Sequence, residues 1–395
     1  RAADRPLRRR LVARECLGDL SRLLPADQTL DLAKKGRDQA LSTIAKRMKA
    51  SPEDVAQSET AKNLIAADQY SSLSECDLVI EAVFEDPALK AKTLSAIEKH
   101  LHPNAILASN TSTLPISGLA DALQNRKEFL GIHFFSPVDK MRLVELIKGK
   151  DTSERALAVG FDYSRLISKT PIIVNDARGF FANRCVLNYL LEGHLMLAEG
   201  YPAAFIENVA RMAGMPVGPL ALSDEVALDL IHRIITATRS ALGSNAINPI
   251  QAEIIASLVE NHQRFGRKNG KGFYDYTPGA PKRLWAGLKA LQKNAQGTVH
   301  LHVEEAKFRL LATQALEAAR TMDENIVLDA READIGAILG FGFAPFTGGP
   351  LSMIDGMGVA NFNQKCEELH KRYGERFAIP QNLKTMANKE SRFYT

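Results

Sequence analysis

Five short apolar runs between residues 77 and 174 constrain the fold more than any other feature of the sequence. The first of them ends at Glu85 and Asp86, and Pro87 then opens a stretch with helical periodicity. Strands that alternate with helices are typical of a parallel α/β sheet. The sequence therefore predicts strands over residues 77–84, 105–109, 129–134, 142–147 and 170–174, and helices over residues 30–49 and 88–100.

Polar side chains occur at or near the ends of these apolar runs. Ser112 follows the second run, His133 lies at the end of the third, and Glu145 lies in the fourth. Ligands of open α/β sheets bind at the carboxyl ends of the strands, and a histidine backed by a carboxylate is an acid/base pair that works near neutral pH. We interpret His133 and Glu145 as such a pair. Without further information, the alternative is that His133 is a buried histidine with a structural role and that Glu145 is a solvated carboxylate at a strand end.

The strand pattern stops after residue 176, and residues 179–199 have helical spacing. A second, all-helical region is therefore predicted. It contains an internal repeat, because Gly218-Pro-Leu220 with Asp224 recurs 131 residues later as Gly349-Pro-Leu351 with Asp355. This spacing indicates a duplicated domain and not a solenoid. We place the two copies in residues 175–290 and 291–395.

The composition is that of an ordinary globular protein with more than one domain. Of 395 residues, 45% are hydrophobic, and 50 basic against 46 acidic side chains give a net charge of +4, which argues against a nucleic-acid partner. The four cysteines have neither C-x-x-C nor zinc-ligand spacing, which argues against a metal site and for reduced thiols. No apolar run approaches the ~18 residues that indicate a membrane span.

Residues 1–26 are atypical, with seven arginines, no lysine and no strand-like alternation. A dinucleotide-binding sheet is expected to open with a strand, a G-x-G-x-x-G turn and a helix that binds the pyrophosphate. That string does not occur in the sequence, and the nearest one, at residues 340–345, comes too late and lacks the third glycine. We interpret residues 1–26 as not native to this position. A mitochondrial transit peptide is the alternative, which the acidic residues of the segment disfavour.

A series of motifs extends from about Asp27 to the C-terminus. They are Glu81-Ala-Val-Phe-Glu85-Asp-Pro, Ser109-Asn-Thr-Ser112, His133-Phe-Phe-Ser136-Pro, Val144-Glu145-Leu and Gly179-Phe-Phe-Ala-Asn183-Arg184. The series resembles the 3-hydroxyacyl-CoA dehydrogenases, in particular the dehydrogenase part of the multifunctional α-subunit of the fatty-acid β-oxidation complex. The resemblance implies an incomplete Rossmann-like NAD-binding domain over residues 27–174, lacking its first βα unit, and a duplicated helical C-terminal domain.

The resemblance also implies the reaction and the site. The reaction is NAD-dependent oxidation of L-3-hydroxyacyl-CoA to 3-oxoacyl-CoA, with His133 as the base and Glu145 as its partner. Ser112 and Asn183 bind the substrate oxygen. The residues implied to contact NAD are Asp27, Val83, Phe84, Glu85, Lys90, Ser112 and Ser136.

Structural roles are the alternatives for several of these residues. Ser112 is equally suited to cap a helix that begins near Pro115, and Asn183 to cap or pack at the start of the helical region. Lys90 fits a solvated helix face, and Asp27 lacks the strand that should precede it. Without a glycine-rich turn, we also predict that the chain as given binds NADH weakly or not at all.

The sequence is also compatible with two other functions. The first is a non-catalytic scaffold that keeps an acyl-CoA cleft but cannot hold NAD. The second is another β-hydroxyacid dehydrogenase that acts on a substrate without CoA, which the duplicated C-terminal region disfavours. The resemblance further implies a thiolase subunit or a second copy of the chain as partner. It implies a cytoplasmic location, with a mitochondrial one as the alternative.

Overall fold

The computed structural model describes residues 25–27, 29–292 and 300–394. They form two compact units. The first unit extends to Asn183 and includes the short segment Asn325–Leu328, and the second comprises Arg184–Glu324 and the residues from Asp329 onwards. All candidate site residues belong to the first unit. Of the segment 1–26, only residues 25 and 26 are described, so the interpretation of that segment stays a prediction.

A five-stranded sheet forms the centre of the first unit. In order across the sheet, its strands are β1 (Leu78–Glu81), β2 (Ile106–Ser109), β3 (Phe129–Phe134), β4 (Leu143–Lys148) and β5 (Thr170–Asn175). Neighbouring strands are parallel except β3 and β4, which are antiparallel. The Rossmann-like α/β class is thus confirmed, but the prediction of a parallel sheet is wrong at this pair. The connection over residues 135–142 contains no helix and is shorter than the crossover of about a dozen residues that parallel strands need.

The helices of the first unit begin at side-chain caps where the sequence supplies them. The Thr29 side chain accepts a hydrogen bond from the Leu32 amide, and the Asp86 side chain accepts one from the Leu89 amide. Within the described residues, the helices are α1 (Leu30–Met48), α2 (Pro52–Ala56), α3 (Glu59–Lys62), α4 (Pro87–Glu98), α5 (Ile116–Ala120) and α6 (Glu154–Leu166). The two helix predictions are confirmed to within two residues. Apolar residues of the central strands and α6 form a buried core, including Ile106, Leu130, Ile132, Val144, Leu146, Ala156 and Leu157.

The second unit is predominantly helical. Helix α7 (Ala182–Ala198) begins in the first unit and continues into the second. It is followed by α8 (Ala203–Met212), α9 (Pro219–Val226), α10 (Leu228–Leu242), α11 (Pro249–Ala256), α12 (Val303–Asp323), α13 (Ala330–Phe341), α14 (Pro350–Met357), α15 (Val359–Tyr373) and α16 (Gln381–Asn388). A small antiparallel hairpin, β6 (Tyr274–Asp275) with β7 (Arg283–Leu284), corrects the prediction of an all-helical region. Strands of two residues are too short to produce an alternating pattern in the sequence.

The two copies of the internal repeat have matching hydrogen bonds. In each copy, a carboxylate accepts from the first amides of the helix that begins at Gly-Pro-Leu: Glu207 for α9 and Asp334 for α14. Helix N-termini favour negative charge because their first amides have no intrahelical partner. The repeated aspartate, Asp224 or Asp355, accepts from the amides of an aromatic pair. In each copy the tyrosine of this pair also donates its hydroxyl to the carboxylate at the helix N-terminus, Tyr274 to Glu207 and Tyr394 to Asp334, both at 2.8 Å.

Candidate active site

His133 and Glu145 form a buried pair at the centre of the sheet. They are direct partners in the antiparallel register of β3 and β4. The Nδ1 atom of His133 lies 2.7 Å from Oε2 of Glu145. His133 is 5% exposed and Glu145 is fully buried, so the alternative of a solvated carboxylate at a strand end is wrong. The reversal of β4 is what places the glutamate opposite the histidine.

Both oxygens of Glu145 are engaged. While Oε2 faces the imidazole, Oε1 accepts hydrogen bonds from the amides of Phe181 at 3.2 Å and Ala182 at 2.8 Å, at the start of α7. A hydrogen bond from Nδ1 to this carboxylate places the proton of the neutral ring on Nδ1 and leaves Nε2 as an acceptor. Among the described residues, no group hydrogen-bonds to Nε2 of His133. The ring is therefore arranged to take up a proton there.

A sharp turn brings aromatic rings against the imidazole. Gly179 and Phe180 both have positive φ angles, of 75° and 49°, and the second is unusual for a residue with a side chain. The turn delivers the two amides to Glu145 and buries the Phe180 ring with its centroid 5.9 Å from that of His133. The Phe135 ring lies at 4.5 Å. These rings lower the local polarity, which strengthens the hydrogen bonds of the pair.

Ser112 and Asn183 are joined directly. The side-chain amide of Asn183, in the first turn of α7, donates a 2.7 Å hydrogen bond to the backbone carbonyl of Ser112. Ser112 does not cap the helix near Pro115, because α5 begins at Ile116 and its first amides donate to the carboxylate of Asp176. The capping alternative for Ser112 is therefore wrong.

Glu85 connects the loop after β1 to the loop after β2. Its Oε1 accepts hydrogen bonds from the Thr111 hydroxyl at 2.6 Å and from the amides of Ser112 at 2.9 Å and Thr113 at 3.0 Å. Burial alone would raise the pKa of Glu85, but the hydrogen bonds from Thr111 and the loop amides, together with the Lys90 ammonium, hold the pKa below its usual value. The Glu85 carboxylate is thus ionised at neutral pH.

Lys90 is fully buried on α4, so its interpretation as a solvated helix residue is wrong. Its ammonium lies 3.0 Å from the carboxylate of Glu81 and 3.6 Å from that of Glu85. Glu81, the last residue of β1, is a residue that the sequence interpretation missed. A carboxylate inside an otherwise apolar strand is rarely buried without a partner, and this was the available signal.

The remaining candidate residues lie in three separate segments of the first unit. Phe84, between Glu81 and Glu85, is 58% exposed. Ser136 is exposed in the connection after β3. Asp27 lies outside the five-stranded sheet, next to an isolated parallel bridge between Ala26 and Ala67. Their roles, and that of Val83, stay predictions.

In the described part of the chain, no group of three or more His, Cys, Asp or Glu side chains is placed to hold a metal ion. Over the same residues, no helix is both long and apolar enough to cross a membrane.

Rossmann-like sheets are the fold of dinucleotide-binding domains, and a buried histidine with a carboxylate partner is suited to acid/base chemistry. The profile of the 3-hydroxyacyl-CoA dehydrogenase NAD binding domain matches residues 23–177, and that of the C-terminal domain of the same family matches residues 179–276. The chain belongs to the 3-hydroxyacyl-CoA dehydrogenase family. The resemblance predicted from the motifs is thereby confirmed, and the first unit contains the NAD-binding domain of the family.

Individual relatives agree with this assignment. The fatty acid oxidation complex subunit alpha of Shewanella frigidimarina is 36% identical over 380 residues, which are 92% of this chain and 52% of that protein. The chain thus spans about half the length of this relative. The crystal structure of (S)-3-hydroxybutyryl-CoA dehydrogenase from Ralstonia eutropha is 31% identical, with a TM-score of 0.60, over 68% of this chain and 94% of that one. A 3-hydroxybutyryl-CoA dehydrogenase from Escherichia coli K12, 21% identical with a TM-score of 0.80 over 96% of both chains, shows the shared fold.

Proposed function

We propose that this chain catalyses the NAD-dependent oxidation of L-3-hydroxyacyl-CoA to 3-oxoacyl-CoA in fatty-acid β-oxidation. The observation that carries the proposal is one connected cluster in the first unit. His133 lies 2.7 Å from Glu145, and Glu145 accepts hydrogen bonds from the amides of residues 181 and 182. The next residue along the chain, Asn183, donates a hydrogen bond to the carbonyl of Ser112. An acid/base pair and two neutral groups for an oxygen are what alcohol oxidation requires.

The proposed mechanism uses this cluster directly. Nε2 of His133 accepts the proton of the substrate hydroxyl as hydride leaves the same carbon. Glu145 holds the ring in the required tautomer and stabilises the imidazolium that forms. Ser112 and Asn183 hydrogen-bond the substrate oxygen and favour its developing negative charge. The proposed mechanism thus assigns two neutral donors and one neutral acceptor to the carbinol group.

The residues present fit the nicotinamide half of NAD, which supplies the hydride acceptor. The exposed Phe84 offers an apolar face, and the ionised Glu85 offers a carboxylate for ribose hydroxyls. Ser136, with the backbone of Val83, completes the proposed contacts. Lys90 is fully buried, so we assign it an indirect role through Glu85 and no direct contact with NAD. In the described part of the chain, no glycine-rich turn joins a strand of the sheet to a helix. Asp27 is assigned to the adenosine ribose by the resemblance alone.

The names of relatives support proposals on partners and location. Because the Shewanella relatives are α-subunits of a fatty acid oxidation complex, we propose that this chain also acts with partner subunits. A thiolase subunit or a second copy of this chain is the specific partner to test. Their bacterial origin supports a cytoplasmic location, with a mitochondrial one as the alternative.

The direct test of function is the reverse reaction, NADH oxidation by the 395-residue chain in the presence of acetoacetyl-CoA. We expect turnover, with a high KM for NADH because the sequence contains no G-x-G-x-x-G string to bind the pyrophosphate. A strand–G-x-G-x-x-G–helix segment placed ahead of Asp27 should lower that KM. Free acetoacetate is the control substrate, and its equal turnover would favour a dehydrogenase for acids without CoA. If acetoacetyl-CoA bound but no NADH were oxidised, both by the chain as given and by the chain with the added segment, the result would instead support the non-catalytic scaffold.

A further inference from the structure

A buried carboxylate, Glu81, has no role in the proposed mechanism although it lies next to the site. It is 3% exposed at the end of β1, and its two oxygens lie 3.0 and 3.2 Å from the ammonium of Lys90. The carboxylate also accepts a 2.7 Å hydrogen bond from the Ser109 hydroxyl on β2 and one from the amide of Val83. Both oxygens of Glu81 are thus engaged by groups of three different segments.

Stability alone explains this ion pair poorly. Burying two charges costs desolvation free energy that their attraction often fails to offset, and apolar residues of similar volume are often as good or better. The contacts instead show what the pair holds. Glu81 accepts from the Val83 amide, and Lys90 donates to the Val83 carbonyl at 3.2 Å. The loop over residues 82–86, between β1 and α4, is therefore fixed through both backbone groups of one residue.

The same contacts continue to the substrate side of the site. The Lys90 ammonium lies 3.6 Å from Oε2 of Glu85, while Oε1 of Glu85 binds the loop over residues 111–113. One path of polar contacts thus leads from Glu81 through Lys90 and Glu85 to Ser112. It joins the carboxyl ends of β1 and β2, where the cofactor and substrate contacts are proposed.

We propose that Glu81 is a positioning residue, which holds Lys90 and the Val83 amide and thereby fixes Glu85 against the loop that carries Ser112. The reaction that it serves rests on the proposed function, whereas the coupling of the two loops rests on geometry. Without the Glu81 carboxylate, the buried ammonium of Lys90 has Glu85 as its remaining anionic partner. Because an unpaired buried charge is costly, Lys90 then draws Glu85 away from the loop over residues 111–113.

Hydrogen exchange of the 395-residue chain tests the coupling without reference to activity. In the Glu81→Gln variant, we expect the amides of residues 112 and 113 to exchange at least about tenfold faster, because their acceptor Glu85 moves. Glu98→Gln is the matched control, since Glu98 lies at the end of α4 and, like Glu85, accepts from the amides of a neighbouring loop, those of residues 124 and 125 before β3. This control should leave exchange at residues 112 and 113 unchanged. Unchanged exchange there in Glu81→Gln would overturn the proposal.

A double variant, Glu81→Leu with Lys90→Met, separates positioning from a purely structural role. We expect its Tm to equal or exceed that of the unsubstituted chain, because an apolar pair replaces two buried charges. We expect kcat/KM for NADH to fall at least about tenfold because the loop is no longer fixed, while the Kd of acetoacetyl-CoA changes less. If the double variant had both the Tm and the kcat/KM of the unsubstituted chain, Glu81 and Lys90 would have only a structural role, and the proposal would be overturned. Absence of turnover in the unsubstituted chain would count against the proposed function, and hydrogen exchange would then decide the coupling.

Discussion

Replacement of His133 by glutamine is expected to lower kcat by about 10² to 10⁴, the usual contribution of a positioned general base. The glutamine amide can still donate to Glu145, but it has no atom that accepts a proton near neutral pH. Ser112 and Asn183 are unchanged, so the Kd of acetoacetyl-CoA should change by less than about threefold. Steady-state reduction of NAD with L-3-hydroxybutyryl-CoA measures kcat in the direction in which His133 accepts the proton, and calorimetric titration measures the Kd.

The matched control is His102→Gln. His102 lies in the same unit and is only partly buried, between α4 and β2. This variant should keep nearly all of the activity. If His133→Gln retained more than about half of the unsubstituted kcat, His133 would not be the base.

Replacement of Glu145 by glutamine is expected to lower kcat by about 10² to 10⁴, because the new amide selects the wrong imidazole tautomer. The oxygen of the glutamine can still accept from the amides of Phe181 and Ala182, which places its NH₂ group towards Nδ1 of His133. Nδ1 must then accept, and the proton moves to Nε2, where it blocks uptake of the substrate proton. The Kd of acetoacetyl-CoA should change little. Kinetics together with calorimetry therefore separate this effect from weakened binding.

Thermal unfolding distinguishes the catalytic and structural roles of Glu145. Glu145→Ala removes the acceptor at the start of α7 as well, so it should lower Tm much more than Glu145→Gln does. Glu154→Gln is the control, because Glu154 is an exposed glutamate of the same unit, paired with Lys148. It should alter neither kcat nor Tm appreciably. An unchanged kcat in Glu145→Gln would mean that Glu145 serves only to hold α7.

The strands can be predicted from the sequence because each produces a local apolar run, and the acid/base pair can be predicted because both residues lie in recognisable motifs. The run over residues 129–134 is observed at its predicted bounds, and His133 and Glu145 are within hydrogen-bond distance. The reversal of β4 was not predicted, because an apolar run carries no information on strand direction. The helix-free connection over residues 135–142 was the overlooked signal for an antiparallel pair.

The burial of Lys90 shows a second limit of the sequence. Lys90, Leu94 and Ile97 have the spacing of one helix face, and all three are buried on α4. Because Lys90 is charged, its side chain was expected to face solvent. Its burial is possible because it has an anionic partner, Glu81, on the neighbouring strand. That partner, Glu81, is nine residues away and in a different element, so periodicity alone does not link the two. Long-range polar pairs of this kind require the structure.

Deuterium transfer from NADH to the acyl group tests the proposed reaction itself. The 395-residue chain is incubated with acetoacetyl-CoA and NADH that carries deuterium at the transferring carbon, and the acyl product is analysed by mass spectrometry and NMR. We expect deuterium on carbon 3 of a 3-hydroxybutyryl-CoA product, with formation slowed by about 10² or more in His133→Gln. Acetoacetyl-CoA that binds the chain yet acquires no deuterium, even with a glycine-rich segment placed ahead of Asp27, would contradict the proposed reaction.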